Sequence, residues 1–132
     1  MRACDLTIIT ITDGTESRIR RSAEMELSPL SALLCYNESG AIVEIQVKDG
    51  KVLLSRKGDY SLSLTLDEGK TTRGTLGISG SNGEIFVSAE RVGFSIGEKS
   101  FLANLKYTLD FGREKQKMQL RLNARESISE EK

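Results

Sequence analysis

Apolar and polar residues alternate at a period of two along most of the chain, the pattern of extended strands with one buried and one wetted face. The longest stretch of this kind runs from Phe101 to Glu126. Phe101, Ala103, Leu105, Tyr107, Leu109 and Phe111 share one side of a first strand, and Leu102 is the lone apolar residue out of phase. Met118, Leu120, Leu122 and Ala124 alternate with Lys117, Gln119, Arg121, Asn123 and Arg125 in a second strand. Together they predict an antiparallel hairpin with one apolar face. Parity and turn length are both met by Phe111 opposite Met118 and Tyr107 opposite Leu122.

The same reading places shorter strands along the rest of the chain. Leu6–Thr12 ends at Asp13-Gly14, a dipeptide suited to a tight hairpin turn. From Thr15 to Leu27 the apolar side carries Ile19, Ala23, Met25 and Leu27, together with Arg21. Pro29 interrupts the pattern, and 32–36 resumes it up to a turn at Asn37–Gly40. Ala41, Val43, Ile45 and Val47 then alternate as far as Asp49-Gly50, the clearest hairpin signal in the chain. That loop pairs Val47 with Val52, Ile45 with Leu54, and Val43 with Arg56. Tyr60, Leu62, Leu64 and Leu66 form a one-sided strand, whereas 71–79 carries Gly74 and Gly77 and reads as bulged or sharply bent. A turn is expected at Gly80–Gly83, and a further strand from Ile85 to about Ile96.

No stretch has helical periodicity. About ten strands joined by short connections predict an all-β fold, a closed or nearly closed antiparallel up-and-down β-barrel. One domain is expected over 1–126, with a polar C-terminal tail over 127–132.

The run IVEIQVKDGKVLLSRKG, the preceding Tyr36-x-Glu38, NGEIFV and the strand LKYTLDFG resemble the bacterial YwiB-like family, from about the second strand to Glu126. The resemblance implies a calycin-type, lipocalin-like barrel and a cytoplasmic address. The family's function is unknown, so no activity, cofactor or catalytic residue comes with it. The chain departs from the family pattern at Ala23, where a glycine is expected, and at Ile78, where a tyrosine is expected.

Composition narrows the chemistry. Nineteen basic and nineteen acidic residues give a formal net charge of zero, so the field of the whole protein draws in neither nucleic acid nor an anionic membrane. No apolar run reaches the roughly 18 residues of a membrane span, and the N-terminus lacks a signal-peptide core. Cys4 and Cys35 have no metal-ligand spacing and read as free thiols of a reducing compartment. The chain has no histidine, which removes Ser-His-Asp and Cys-His machinery and imidazole metal sites. Glu68-Gly69-Lys70-Thr71 lacks the upstream glycine of a phosphate-binding loop, because Leu64 stands there. Arg18-Ile-Arg-Arg21 is the one basic cluster, and it has no interleaved aromatics on which bases could stack. The expectation is therefore a protein with no catalytic residues, metal or cofactor, and with no nucleic-acid or membrane partner.

Pairing parity puts Arg56 on an inward face, and the same count puts Arg21, Tyr36, Tyr60 and Tyr107 on apolar faces. A guanidinium suits the carboxylate or phosphate of a bound amphipathic molecule, and these five residues form the candidate ligand-binding set inside or at one mouth of the barrel; the alternative for Arg56, at a strand end, is that it reaches water or satisfies nearby carbonyls. The alternative is a filled barrel that serves as a structural or protein-interaction module.

Overall fold

The computed structural model describes residues 1–127. Of the tail expected over 127–132, all but Ser127 lies outside the described residues, and the Ser127 N–H donates to the Ala3 carbonyl at 3.0 Å. The strands are β1 (Arg2–Thr12), β2 (Thr15–Ser28), β3 (Ser31–Glu38), β4 (Ala41–Lys48), β5 (Lys51–Lys57), β6 (Tyr60–Leu66), β7 (Thr71–Ile78), β8 (Ser81–Ile96), β9 (Ser100–Asp110) and β10 (Lys115–Glu126). Each pairs antiparallel with its neighbours in sequence, and β10 returns to β1, with Leu6 opposite Ala124 and Ile8 opposite Leu122. The result is a closed ten-stranded, up-and-down antiparallel barrel, as the alternation predicts. Closure leaves no free strand edge.

Four of the turns are two-residue loops with both residues at positive φ: Asp13-Gly14, Ser39-Gly40, Asp49-Gly50 and Ser79-Gly80. That geometry matches the right-handed twist of the flanking strands, which is why Asn, Asp and Gly are favoured there. The Asp49-Gly50 loop sets the register read from the sequence, with Val47 opposite Val52, Ile45 opposite Leu54 and Val43 opposite Arg56.

Three local expectations change. In the β9–β10 hairpin Tyr107 faces Met118 and Ala103 faces Leu122, a slip of four residues from the expected pairing. The slip is even, so the same side chains still point inward. Its cause is a loop shorter than expected: Phe111 leaves the strand, its N–H donates to the Glu114 carbonyl at 2.9 Å, and its ring is exposed. The turn expected at Gly80–Gly83 closes earlier, at Ser79-Gly80, and β8 begins at Ser81. Of the bulge or sharp bend expected in β7, no bulge is seen, since the register to β8 is continuous over Thr71–Ile78 and the pairing with β6 covers Thr75–Ile78. The bulge lies in β8, where Ala89 pairs with Tyr107, Arg91 pairs with Lys106, and Glu90 is the extra residue.

One contiguous cluster of buried side chains occupies the lumen, with Leu6, Met25, Leu34, Ile45, Leu66, Phe101 and Leu105 among its most enclosed members. Leucine, isoleucine and valine do most of the filling, as a chain with 5% aromatic residues requires.

Candidate functional site

Arg56 sits near the end of β5, inward as pairing demands, and is 8% exposed. Its Nη1 donates to Asp59 Oδ1 and to the Tyr60 carbonyl, both at 2.9 Å, and its Nε donates to Glu38 Oε1 at 3.4 Å. The Tyr60 ring covers the guanidinium at 3.8 Å from its centroid, a cation–π contact. Tyr60 is therefore not inside the barrel: it is 37% exposed and lies at the rim over Arg56. The position next to the Gly58-Asp59 turn ends the inward row, and the flat cation supplies a better partner than solvent. The Arg56 guanidinium in turn holds Asp59 below the usual carboxylate range.

Tyr36 and Tyr107 are buried inside the same end of the barrel, and Arg21 is half-buried. Burial pushes the Tyr36 hydroxyl well above its ordinary value, Glu38 and Tyr107 add to the rise, and Arg21 opposes it. Burial likewise pushes Tyr107 up to about 12. Arg21 Nη1 donates to the Arg20 carbonyl at 3.0 Å. Thus Arg21 and Tyr107 each lie within electrostatic reach of Tyr36, while Arg56 is bound to acids. Both tyrosines are neutral when folded, so the stability they carry is complete below the unfolded tyrosine value of about 10 and is lost as pH rises toward their folded values. Alkaline unfolding followed by circular dichroism is expected to begin above about pH 10, and Tyr107→Phe to move it upward; an unchanged midpoint would contradict this.

The two thiols are unpaired. Burial, then the charges of Asp5 and Glu24, raise Cys4 to about 11. Burial, then Glu44, raise Cys35 to about 11, and its Sγ donates to Glu44 Oε2 at 3.6 Å. Neither is a thiolate nucleophile at neutral pH.

A second arrangement was not found from the sequence. On the outer wall the register aligns Arg18, Ile9, Arg121, Asn104 and Gly93 in one row, and Arg20, Thr7, Asn123, Leu102 and Ser95 in the next. These rows line a depression of about 570 Å³, within the size range of small-molecule sites. Gly93 keeps one wall low, and the long arginines rise around it. The Gln119 amide lies 3.1 Å from Arg121 Nε and 3.2 Å from Nη2, so with its oxygen turned that way it accepts from both and steadies the guanidinium. Asn123 Oδ1 is buried in the wall with no hydrogen-bond partner among the described residues. None of Arg18, Arg20 and Arg121 forms an ion pair among them either. In sequence Arg121 lies about a hundred residues from the other two, and only closure of β10 onto β1 unites them.

Residues 6–122 match the family described as "Domain of unknown function (DUF1934)". The chain belongs to this family. The crystal structure of ywiB protein from Bacillus subtilis is similar to it, with a TM-score of 0.80 over 96% of this chain and 93% of that one, at 16% sequence identity. At that identity the likeness carries the barrel and nothing of its use. No curated protein matches the chain. Membership of DUF1934 thus supplies a fold, and the outer-wall arginines have to be read on their own chemistry.

Proposed function

We propose that this chain is a binding module for a small anionic, partly apolar molecule, and that the molecule is held on the outer wall of a filled barrel. The observation that carries the reading is the set of Arg18, Arg20 and Arg121, without acid partners among the described residues, around a depression whose wall buries the partnerless Asn123 Oδ1. A polar atom with no partner in the protein, at the wall of a depression, is one that a ligand donor or a water can satisfy. Ile9 and Leu102 add apolar surface in the same depression.

Placement inside the lumen, around Arg56, Arg21, Tyr36, Tyr60 and Tyr107, is less favoured. Arg56 already has Glu38, Asp59 and a carbonyl on its donors, which makes it a clamp between the β3–β4 and β5–β6 ends. A protein-interaction role would need a contiguous apolar patch, and the exposed Ile42, Leu53 and Phe86 each have polar residues opposite them on both neighbouring strands. The two free thiols favour a reducing, cytoplasmic setting. The calycin-type affiliation rests on the meander, which here has ten strands where a lipocalin barrel has eight.

The reading is tested by following melting temperature while titrating organic phosphates and fatty acids. Binding at a hundredfold excess over Kd adds about 2.7 kcal/mol of stability and is visible as a shift of several degrees. The shift is expected in the wild type and in Arg56→Met, and it should shrink at least tenfold in apparent affinity in Arg18→Gln and Arg121→Gln. Loss in Arg56→Met with retention in the other two would return the site to the lumen.

A further inference from the structure

We infer that the anionic part of the outer-wall ligand is a linear phosphoanhydride chain, gripped by a diagonal band of cations that extends past the depression, with the rest of the molecule over Ile9, Leu102 and Asn123. This inference rests on the outer-wall reading above. Beyond Arg18, Arg20 and Arg121, the next row across the sheet holds Gln119, Lys106 and Arg91 in register, all pointing outward. The cations stand on β2, β10, β9 and β8, with Thr7 and Ile9 of β1 between the first two, so the band spans four interstrand spacings or about 19 Å.

The protein has a formal net charge of zero, so this band is a local asymmetry. Glu16 and Asp5 border it on β2 and β1, and Glu90 shares a depression with Lys106 at the bulge. None of these carboxylates forms an ion pair with a band residue among the described residues.

The spacing decides the class of ligand. One carboxylate or one orthophosphate occupies one or two guanidinium forks and leaves the rest of a 19 Å line, as estimated above from strand spacing, unused. A chain of linked phosphates meets the cations in succession, and each one neutralised adds affinity that falls with salt. A fatty acid would engage Ile9 and Leu102 but offers a single charge. Single-stranded nucleic acid needs successive aromatic platforms, and Phe94 is the one aromatic residue among those lining the depression.

Isothermal titration of the full chain with orthophosphate, inorganic triphosphate and a longer linear polyphosphate reads the inference directly. Triphosphate is expected to bind at least tenfold tighter than orthophosphate, and the longer chain tighter again. Both differences should narrow as salt rises. The double variant Arg91→Gln, Lys106→Gln should flatten this dependence on chain length while orthophosphate affinity holds. A nucleoside triphosphate that binds tighter than inorganic triphosphate would uphold the chain and assign the nucleotide as its source. Equal affinity for ortho- and triphosphate would overturn the inference and leave the outer-wall anion site standing; no binding of any of them would overturn the inference as well, while the fatty acid and organic phosphate titrations decide the outer-wall site itself. An oligonucleotide that binds tighter than a polyphosphate of equal charge would also overturn it.

Discussion

Leu105→Ala is expected to lower the free energy of unfolding by about 3 to 5 kcal/mol. Leu105 is fully buried on β9, opposite Leu120 of β10 and Val92 of β8, so its side chain packs across three strands of the closed wall. Removing it forfeits the transfer free energy of the leucine and leaves a cavity, because flanking strands held by backbone hydrogen bonds on both sides cannot collapse into the space. Its neighbour Lys106 points outward, and Lys106→Ala is expected to stay within about 0.5 kcal/mol. Denaturation midpoints at constant m-value decide the matter. A large loss from Lys106 and none from Leu105 would mean that β9 presents its other face to the lumen.

Gly74→Ala should destabilise the barrel by about 1 to 3 kcal/mol although it adds a single methyl group. A Cβ at Gly74 would stand 2.7 Å from the Ser63 carbonyl oxygen and 2.9 Å from Leu64 Cδ2. The first of these is backbone in the paired strand β6 and cannot swing away, so β6 and β7 would have to part. An alanine at Gly83 meets nothing nearer than a carbonyl at 3.9 Å and serves as the control. Equal stability of Gly74→Ala and Gly83→Ala would show that β6 and β7 approach less closely than described.

These two residues also mark what the sequence can and cannot convey. Leu105 is legible because a period of two admits one inward face, and Arg56 because the Asp49-Gly50 turn fixes both loop length and parity. Gly74 suggested a bulge, since a glycine in a strand reads equally as a bend or as close approach of another backbone. The bulge at Glu90 carries no such mark. Tyr60 obeyed the alternation and still lies at the rim, because at a strand end a neighbouring cation outweighs the period. Arg18, Arg20 and Arg121 were illegible for another reason: their proximity is made by barrel closure, and local sequence holds no record of which strand β1 meets on its far side.

The most direct test of the outer-wall site is a titration of isotope-labelled protein with inorganic triphosphate, followed by amide chemical shifts. The largest changes are expected at Arg18, Arg20, Arg121 and Asn123, with Tyr36, Arg56 and Tyr107 unmoved. Changes centred on Tyr36, Arg56 and Tyr107, with the outer rows silent, would contradict the account and place the ligand in the lumen.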